Sequence, residues 1–241
     1  MGGLLGMIGK GTNHRTLCAL VSFAAGALLS VTLMHIMPEA IELAGWTYAL
    51  TSVAAGVLVF YFIGKYVSFI CPACAASAID QRTGYLRLGI LLMIALGIHS
   101  TMDGLAIAIG AESSIPMLGV LILFAVSYHK IPEGLALTSV ARLAGFSKKS
   151  ALITTVLIEL TTGLGAFIGL IATTGFSNIW LGILLAHAGG SFLYVVGFAL
   201  ITEWSEHERT SIVVYLTTGF IAIWLLAIIL AKTEAFSHMA H

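Results

Sequence analysis

The chain has 241 residues, of which 59% are hydrophobic and 9% charged, and its formal net charge is zero. Soluble proteins carry about 25% charged residues, and the mean hydropathy of this chain is +1.04. This composition excludes a soluble protein and predicts a chain that crosses the lipid bilayer several times. The balanced charge argues against a nucleic-acid partner.

Seven apolar segments are long enough to cross a bilayer, since a spanning helix needs about 20 mostly apolar residues. They lie at about 16–40, 46–69, 86–110, 115–141, 150–173, 178–202 and 211–231. The segments that join them are short. We therefore predict an all-α membrane protein, a polytopic bundle of seven transmembrane helices that forms a single domain over residues 1–241.

The distribution of lysine and arginine predicts the orientation, because these residues accumulate on the cytoplasmic side of membrane proteins. With the N-terminus inside, nine of them fall on inner segments, and Lys232 alone falls on an outer one. We therefore expect a cytoplasmic N-terminus and an outside C-terminus in the cell membrane, inner or plasma. The first residues are rich in glycine and carry no signal-peptide pattern.

One sequence motif occurs twice, once in the third apolar segment and once in the fourth. His99-Ser-Thr-Met-Asp103-Gly-Leu-Ala is followed, thirty residues later, by His129-Lys-Ile-Pro-Glu133-Gly-Leu-Ala. Positions i and i+4 share one face of a helix, so each histidine points the same way as its carboxylate. Ionisable side chains inside a membrane are costly and indicate function. Two such helices facing each other predict a four-ligand metal site.

The ligand types narrow the choice of metal. Two imidazoles and two carboxylates suit Zn²⁺, Fe²⁺, Mn²⁺ or Co²⁺, whereas Mg²⁺ and Ca²⁺ prefer oxygen ligands alone. The general order of affinities does not choose among these transition metals.

Lys130 lies next to His129 in the middle of an apolar segment. An unpaired lysine at the bilayer centre costs about 3 kcal/mol or more, so it needs a carboxylate partner. Glu133 and Glu159, the one ionisable residue of the fifth segment, are the candidates. The ammonium would then occupy a place where a second cation could sit; the competing interpretation is an amine left uncharged by burial.

Five further polar residues form a candidate pathway. His35 and Glu39, near the outer end of the first segment, mark either an interfacial helix end or an acidic vestibule that collects cations. His187, in the sixth segment, is either a packed histidine or a relay ligand on the inner side. Glu203 and His207 belong either to a solvated loop or to a route that hands metal to the cytosol.

Two short motifs each have two interpretations. Cys71 and Cys74 form a lone CPAC, which is either incidental or a transient metal or redox site. Gly165 and Gly169 form a GxxxG, which favours tight packing inside the bundle over the interface of a homodimer.

With these residues the chain resembles the ZIP (Zrt-, Irt-like protein) family of divalent-metal transporters over nearly its whole length. The matching segments are His-Ile-Met-Pro-Glu-Ala at 35–40, His-Ser-Thr-Met-Asp-Gly at 99–104, His-Lys-Ile-Pro-Glu-Gly at 129–134, Glu159, and Gly-Gly-Ser-Phe-Leu-Tyr at 189–194. The resemblance places His99, Asp103, His129 and Glu133 on the primary metal site. It places Ser100, Lys130 and Glu159 where many members build a second, bridged site.

The sequence departs from the family pattern in three ways. The usual first helix has no counterpart, and the first apolar segment matches the family's second, which puts the N-terminus inside. Lys130 stands where a metal ligand is expected, which favours one bound metal over two. The histidine-rich cytosolic loop common in the family is also missing.

The resemblance implies transport of a divalent transition metal toward the cytosol, between the third and fourth helices. We expect Zn²⁺ as the transported ion, with Fe²⁺, Mn²⁺, Co²⁺ and Cd²⁺ as alternatives. The alternative is a seven-span intramembrane zinc hydrolase. His99, Asp103 and His129 would hold its zinc and a water, and Glu133 would act as the base. The sequence contains no HExxH motif, and ligand pairs near mid-membrane on consecutive helices suit the passage of an ion.

Overall fold

The computed structural model describes residues 14–66, 82–113, 115, 117–206 and 209–239. Within these ranges the chain is almost entirely helical and contains no strand. The prediction of an all-α membrane bundle is confirmed.

The helices coincide with the apolar segments, because backbone N–H and C=O groups inside the hydrocarbon region must form hydrogen bonds with each other. In chain order they are α1 (His14–Val31), a π-helical turn (Thr32–Ile36), α2 (Met37–Tyr66), α3 (Arg82–Ala111), α4 (Leu118–Leu143), α5 (Lys148–Glu159), α6 (Thr161–Gly175), α7 (Asn178–Glu206) and α8 (Arg209–Met239). Apart from residues 67–69 and 115–117, each predicted span lies on one of these helices or on consecutive ones.

The number of spans differs from the prediction by one. Among the described residues, six segments are long and apolar enough to cross a membrane, against the seven expected. The first, Ala19–Lys65, has 47 residues, about 70 Å of helix, which is more than twice the hydrocarbon thickness. No loop separates its two halves. Gly45 breaks the helical conformation between them, with φ 79° and ψ 162°, values that glycine adopts readily and other residues do not.

A second break divides the predicted fifth span. Leu160 separates α5 from α6, although the two together form one apolar segment of 28 residues. The Thr161 hydroxyl donates to the carbonyl of Ile158 at 2.7 Å and to that of Gly97 in α3 at 3.0 Å. The break is therefore tied to α3 and directly follows Glu159.

Glycines allow three pairs of helices to pack closely. Gly165 of α6 lies against the backbone carbonyl of Thr101 in α3, and Gly104 of α3 lies against that of Thr162 in α6, so a methyl group at either glycine would collide with backbone. Gly56 with Gly190 and Gly26 with Gly219 make the α2–α7 and α1–α8 contacts in the same way. Gly169 also packs on α3, so the GxxxG serves contacts within the chain.

Helices α3 and α4, which carry the duplicated motif, lie inside the bundle. The apolar windows of α3 and α4 are 61% and 59% buried, whereas those of α5–α6 and α8 are only 22% and 17% buried. Polar side chains on the inner faces of α3 and α4 are thus shielded from lipid by neighbouring helices, as intramembrane ionisable groups require.

Candidate metal site

Helices α3 and α4 bring the two His/carboxylate pairs to one place. One ligand atom from each of His99, Asp103, His129 and Glu133 lies within 4.8 Å of all the others. All four side chains are buried, and Asp103 has no exposed surface. The structure therefore places together the four residues that the sequence selected as ligands.

The distances within this cluster fit a single small ion. Nε2 of His99 and Nε2 of His129 are 3.1 Å apart. The Asp103 carboxylate lies 3.6 Å from each of these nitrogens, and Glu133 Oε2 lies 3.4 Å from that of His129. Nitrogen and oxygen ligands bind Zn²⁺ at about 2.1 Å, which on a tetrahedron separates them by about 3.4 Å. The observed spacing is close to this value.

Aromatic rings enclose the histidine side of the cluster. Phe60 of α2 and Phe192 of α7 contact the His99 ring edge-on, with centroids 5.5 and 6.1 Å away. Both phenylalanines are buried. They fix the ring and exclude water from it, which strengthens electrostatic interactions in the cluster. These contacts could not be predicted from the sequence, because phenylalanine is common in apolar spans whichever way its side chain points.

The ammonium of Lys130 lies among the carboxylates. Its Nζ is 2.8 Å from Asp103 Oδ2, 2.9 Å from Glu133 Oε2 and 3.8 Å from Glu159 Oε2. It donates to Ser100 Oγ at 2.5 Å, and Ser100 in turn donates to Glu133 Oε1 at 3.2 Å. Glu133 and Glu159, the partners that the sequence predicts, are thus within ion-pair distance, and Asp103, which it does not predict, is the nearest carboxylate.

Of the candidate pathway residues, His35, Glu39 and His187 do not belong to this cluster. In the described part of the chain, it is the only group of three or more His, Cys, Asp or Glu side chains spaced to hold a metal. His35 lies in the π-helical turn, a feature frequent at functional sites; Glu39 is fully buried, and His187 is partly exposed. His207, Cys71, Cys74 and the Glu203 side chain lie outside the described residues.

Residues 75–227 match the model of a family described as ZIP Zinc transporter. This range contains the whole four-residue cluster together with Ser100, Lys130 and Glu159.

Curated proteins show the same likeness. The Zinc transporter ZupT of Chlorobaculum parvum (strain DSM 263 / NCIMB 8327) is 30% identical over 228 residues, which cover 86% of this chain and 85% of that protein. The protein of the same name from Chlorobium chlorochromatii (strain CaD3) is 28% identical with the same coverage. The match to the Enterobacter sp. (strain 638) Zinc transporter ZupT is shorter, 26% over 121 residues, and spans about half of each chain.

Proposed function

Because this chain belongs to the ZIP family of zinc transporters, we propose that it carries zinc across the membrane through the cluster of His99, Asp103, His129 and Glu133. The observation that carries the proposal is the convergence of two imidazoles and two carboxylates within 4.8 Å, buried between α3 and α4. The family consists of metal transporters rather than enzymes, so the hydrolase alternative is set aside.

The chemistry of the cluster matches what an ion needs inside a membrane. Zn²⁺ must lose its hydration shell inside the membrane, and the four buried side chains provide the ligand atoms that replace the water molecules. Asp103 and Glu133 together carry two negative charges, which balance one divalent ion. The nitrogen ligands favour Zn²⁺, Fe²⁺, Mn²⁺, Co²⁺ or Cd²⁺ over Mg²⁺ and Ca²⁺.

The direction we propose is toward the cytosol. Metal would arrive at the outer side past His35 and Glu39, and leave inward past His187 toward Glu203 and His207. Support comes from the lysine and arginine bias, which predicts that the start of α2, where Glu39 lies, faces the outer side. Rocking of one group of helices against another would expose the site to each side in turn. The metal gradient or an exchange with protons would drive the movement.

Uptake of zinc into liposomes tests the proposal. The wild-type protein, reconstituted with a zinc-sensitive dye inside the vesicles, should give saturable uptake. His129→Ala and Glu133→Ala should each abolish it, because each removes one of four ligands. Glu112→Gln is the matched control, since Glu112 is exposed at the α3–α4 connection and outside the cluster. Unchanged uptake in both site variants would contradict the proposal.

A further inference from the structure

Nδ1 of His99 is buried, and no group in the described part of the chain forms a hydrogen bond with it. A metal-ligating histidine almost always donates its other ring N–H to a carboxylate, a carbonyl or a water, and this bond fixes the orientation of the ring. Nε2 of His99 faces the other ligands, 3.1 Å from Nε2 of His129 and 3.6 Å from Oδ1 of Asp103. The described protein groups therefore hold the far side of this ring by packing.

Two buried phenylalanines provide that packing. The ring of Phe60 in α2 has its centroid 5.5 Å from that of His99, with the ring planes at 74°. The ring of Phe192 in α7 lies at 6.1 Å and 84°. Aromatic rings attract each other in such edge-to-face arrangements at centroid distances of about 4.5 to 7 Å. The imidazole is thus held by two perpendicular ring contacts.

The close packing of α2 against α7 fixes the backbone positions of both phenylalanines. Gly56, one helical turn before Phe60, lies against the backbone carbonyl of His187 in α7. Gly190, two residues before Phe192, lies against the backbone of α2. A methyl group at either glycine would collide with the facing helix, so the two rings are placed by one helix pair.

His99 depends on packing more than the other imidazole does. Within the described residues, Nε2 of His129 has two carboxylates within 3.6 Å, those of Asp103 and Glu133. Nε2 of His99 has one such neighbour, Asp103. The ring with fewer polar contacts is the one that the two phenylalanines hold.

We propose that Phe60 and Phe192 are positioning residues for zinc binding, which hold the His99 imidazole in the orientation that binds the ion. They perform by packing the role that a hydrogen bond to the second ring nitrogen has in most metal sites. This inference rests on the proposed function only in taking the four-residue cluster as the zinc site. It gives α2 and α7, which contribute no ligand to that cluster, a direct effect on zinc affinity.

The zinc affinity of leucine variants tests the role of the two rings. Phe60→Leu and Phe192→Leu keep an apolar side chain and remove the ring contact with His99. The dissociation constant for Zn²⁺, measured by competition with a zinc-binding dye, should rise about 3- to 10-fold, because the freed imidazole must then be immobilised on binding. Phe167→Leu is the control, since Phe167 is 61% exposed on α6, and its affinity should equal that of wild type.

A double-mutant cycle separates positioning of His99 from a general loosening of the bundle. Phe60→Leu added to His99→Ala should change the dissociation constant by less than about 2-fold, because no imidazole remains to be oriented. Added to His129→Ala, which keeps His99, it should still cause the 3- to 10-fold loss found in the wild-type background. Phe192→Leu should behave in the same way in both backgrounds.

Methionine variants extend the test to proteins that do not tolerate leucine. If Phe60→Leu or Phe192→Leu does not fold, the same cycle is measured with methionine at that position, because its flexible side chain fills irregular space in a core.

The outcomes that overturn the inference differ from those that overturn the proposed function. Wild-type zinc affinity in the folded phenylalanine variants, or an equal loss with and without His99, would refute the positioning role and leave the zinc site intact. A wild-type protein that binds no zinc would remove the metal site itself, and both proposals with it.

Discussion

Nε2 of His99 and Nε2 of His129 lie 3.1 Å apart, although thirty residues separate them in the chain. Each histidine is held by its own helix, so the contact exists only because α3 and α4 pack with their duplicated faces toward each other. The same register brings Asp103 of α3 to within 3.6 Å of His129. The cluster is therefore a property of the helix pair, and neither helix alone could form it.

Removing one imidazole should weaken zinc binding without unfolding the protein. His99→Ala deletes one of four ligands, and we expect the dissociation constant for Zn²⁺ to rise at least about 100-fold, or 2.7 kcal/mol. Isothermal titration calorimetry on the purified protein measures the change. Zinc affinity equal to wild type in a folded His99→Ala protein would mean that this imidazole is not a ligand.

The aromatic wall around His99 should contribute to stability. Phe192 is fully buried, and its ring contacts that of His99 at 6.1 Å. Phe192→Ala leaves a cavity, which typically costs about 3 to 5 kcal/mol, so the thermal unfolding temperature in detergent should fall. Phe167→Ala is the control, because Phe167 is 61% exposed on the outer face of α6. Equal melting temperatures for the two variants would argue against the proposed packing.

Two glycines of one helix should differ sharply in their tolerance of alanine. A methyl group at Gly165 would collide with the Thr101 carbonyl, while one at Gly163 would meet nothing within 4 Å. Gly165→Ala should therefore push α3 and α6 apart and lose about 1 to 3 kcal/mol of stability. Gly163→Ala should be neutral or stabilising by up to about 1 kcal/mol, since alanine favours helix. The melting temperatures of the two variants test this difference, and that of Gly165→Ala should be the lower.

The sequence predicted the parts of the site that depend on a single helix. The i, i+4 spacing places His99 with Asp103 and His129 with Glu133 on common faces, and this is local geometry. The duplication of the motif then indicated that these two helix faces lie against each other. These inferences needed no knowledge of how any other helix packs.

The spacing within single helices did not predict which side chains contact each other between helices. The 2.8 Å pair between Lys130 and Asp103 depends on the register of α3 against α4, which no sequence period specifies. Phe60 and Phe192 come from two other helices, and aromatic residues in apolar spans carry no positional signal. The sequence predicts a short connection over residues 41–45, whereas the helix breaks at Gly45 and resumes directly after it. The sequence contains no signal that distinguishes these two arrangements.

The hydroxyl of Thr161 should couple the break after Glu159 to α3. It donates to Gly97 of α3 at 3.0 Å as well as to Ile158 of its own chain segment at 2.7 Å. Thr161→Val keeps the shape and removes both bonds, which should cost about 1 kcal/mol. Because Glu159 is two residues away and 3.8 Å from Lys130, we also expect slower zinc uptake into liposomes.

Thr173→Val provides the comparison for this variant. Thr173 lies on the same helix, is partly exposed, and donates to Leu170, three residues before it, at 2.8 Å. It thus loses a bond within its helix and none between helices. Its uptake rate should match wild type. If Thr161→Val and Thr173→Val transport zinc equally well, the hydrogen bond to Gly97 has no part in positioning Glu159, and the break in the fifth span is held by packing alone.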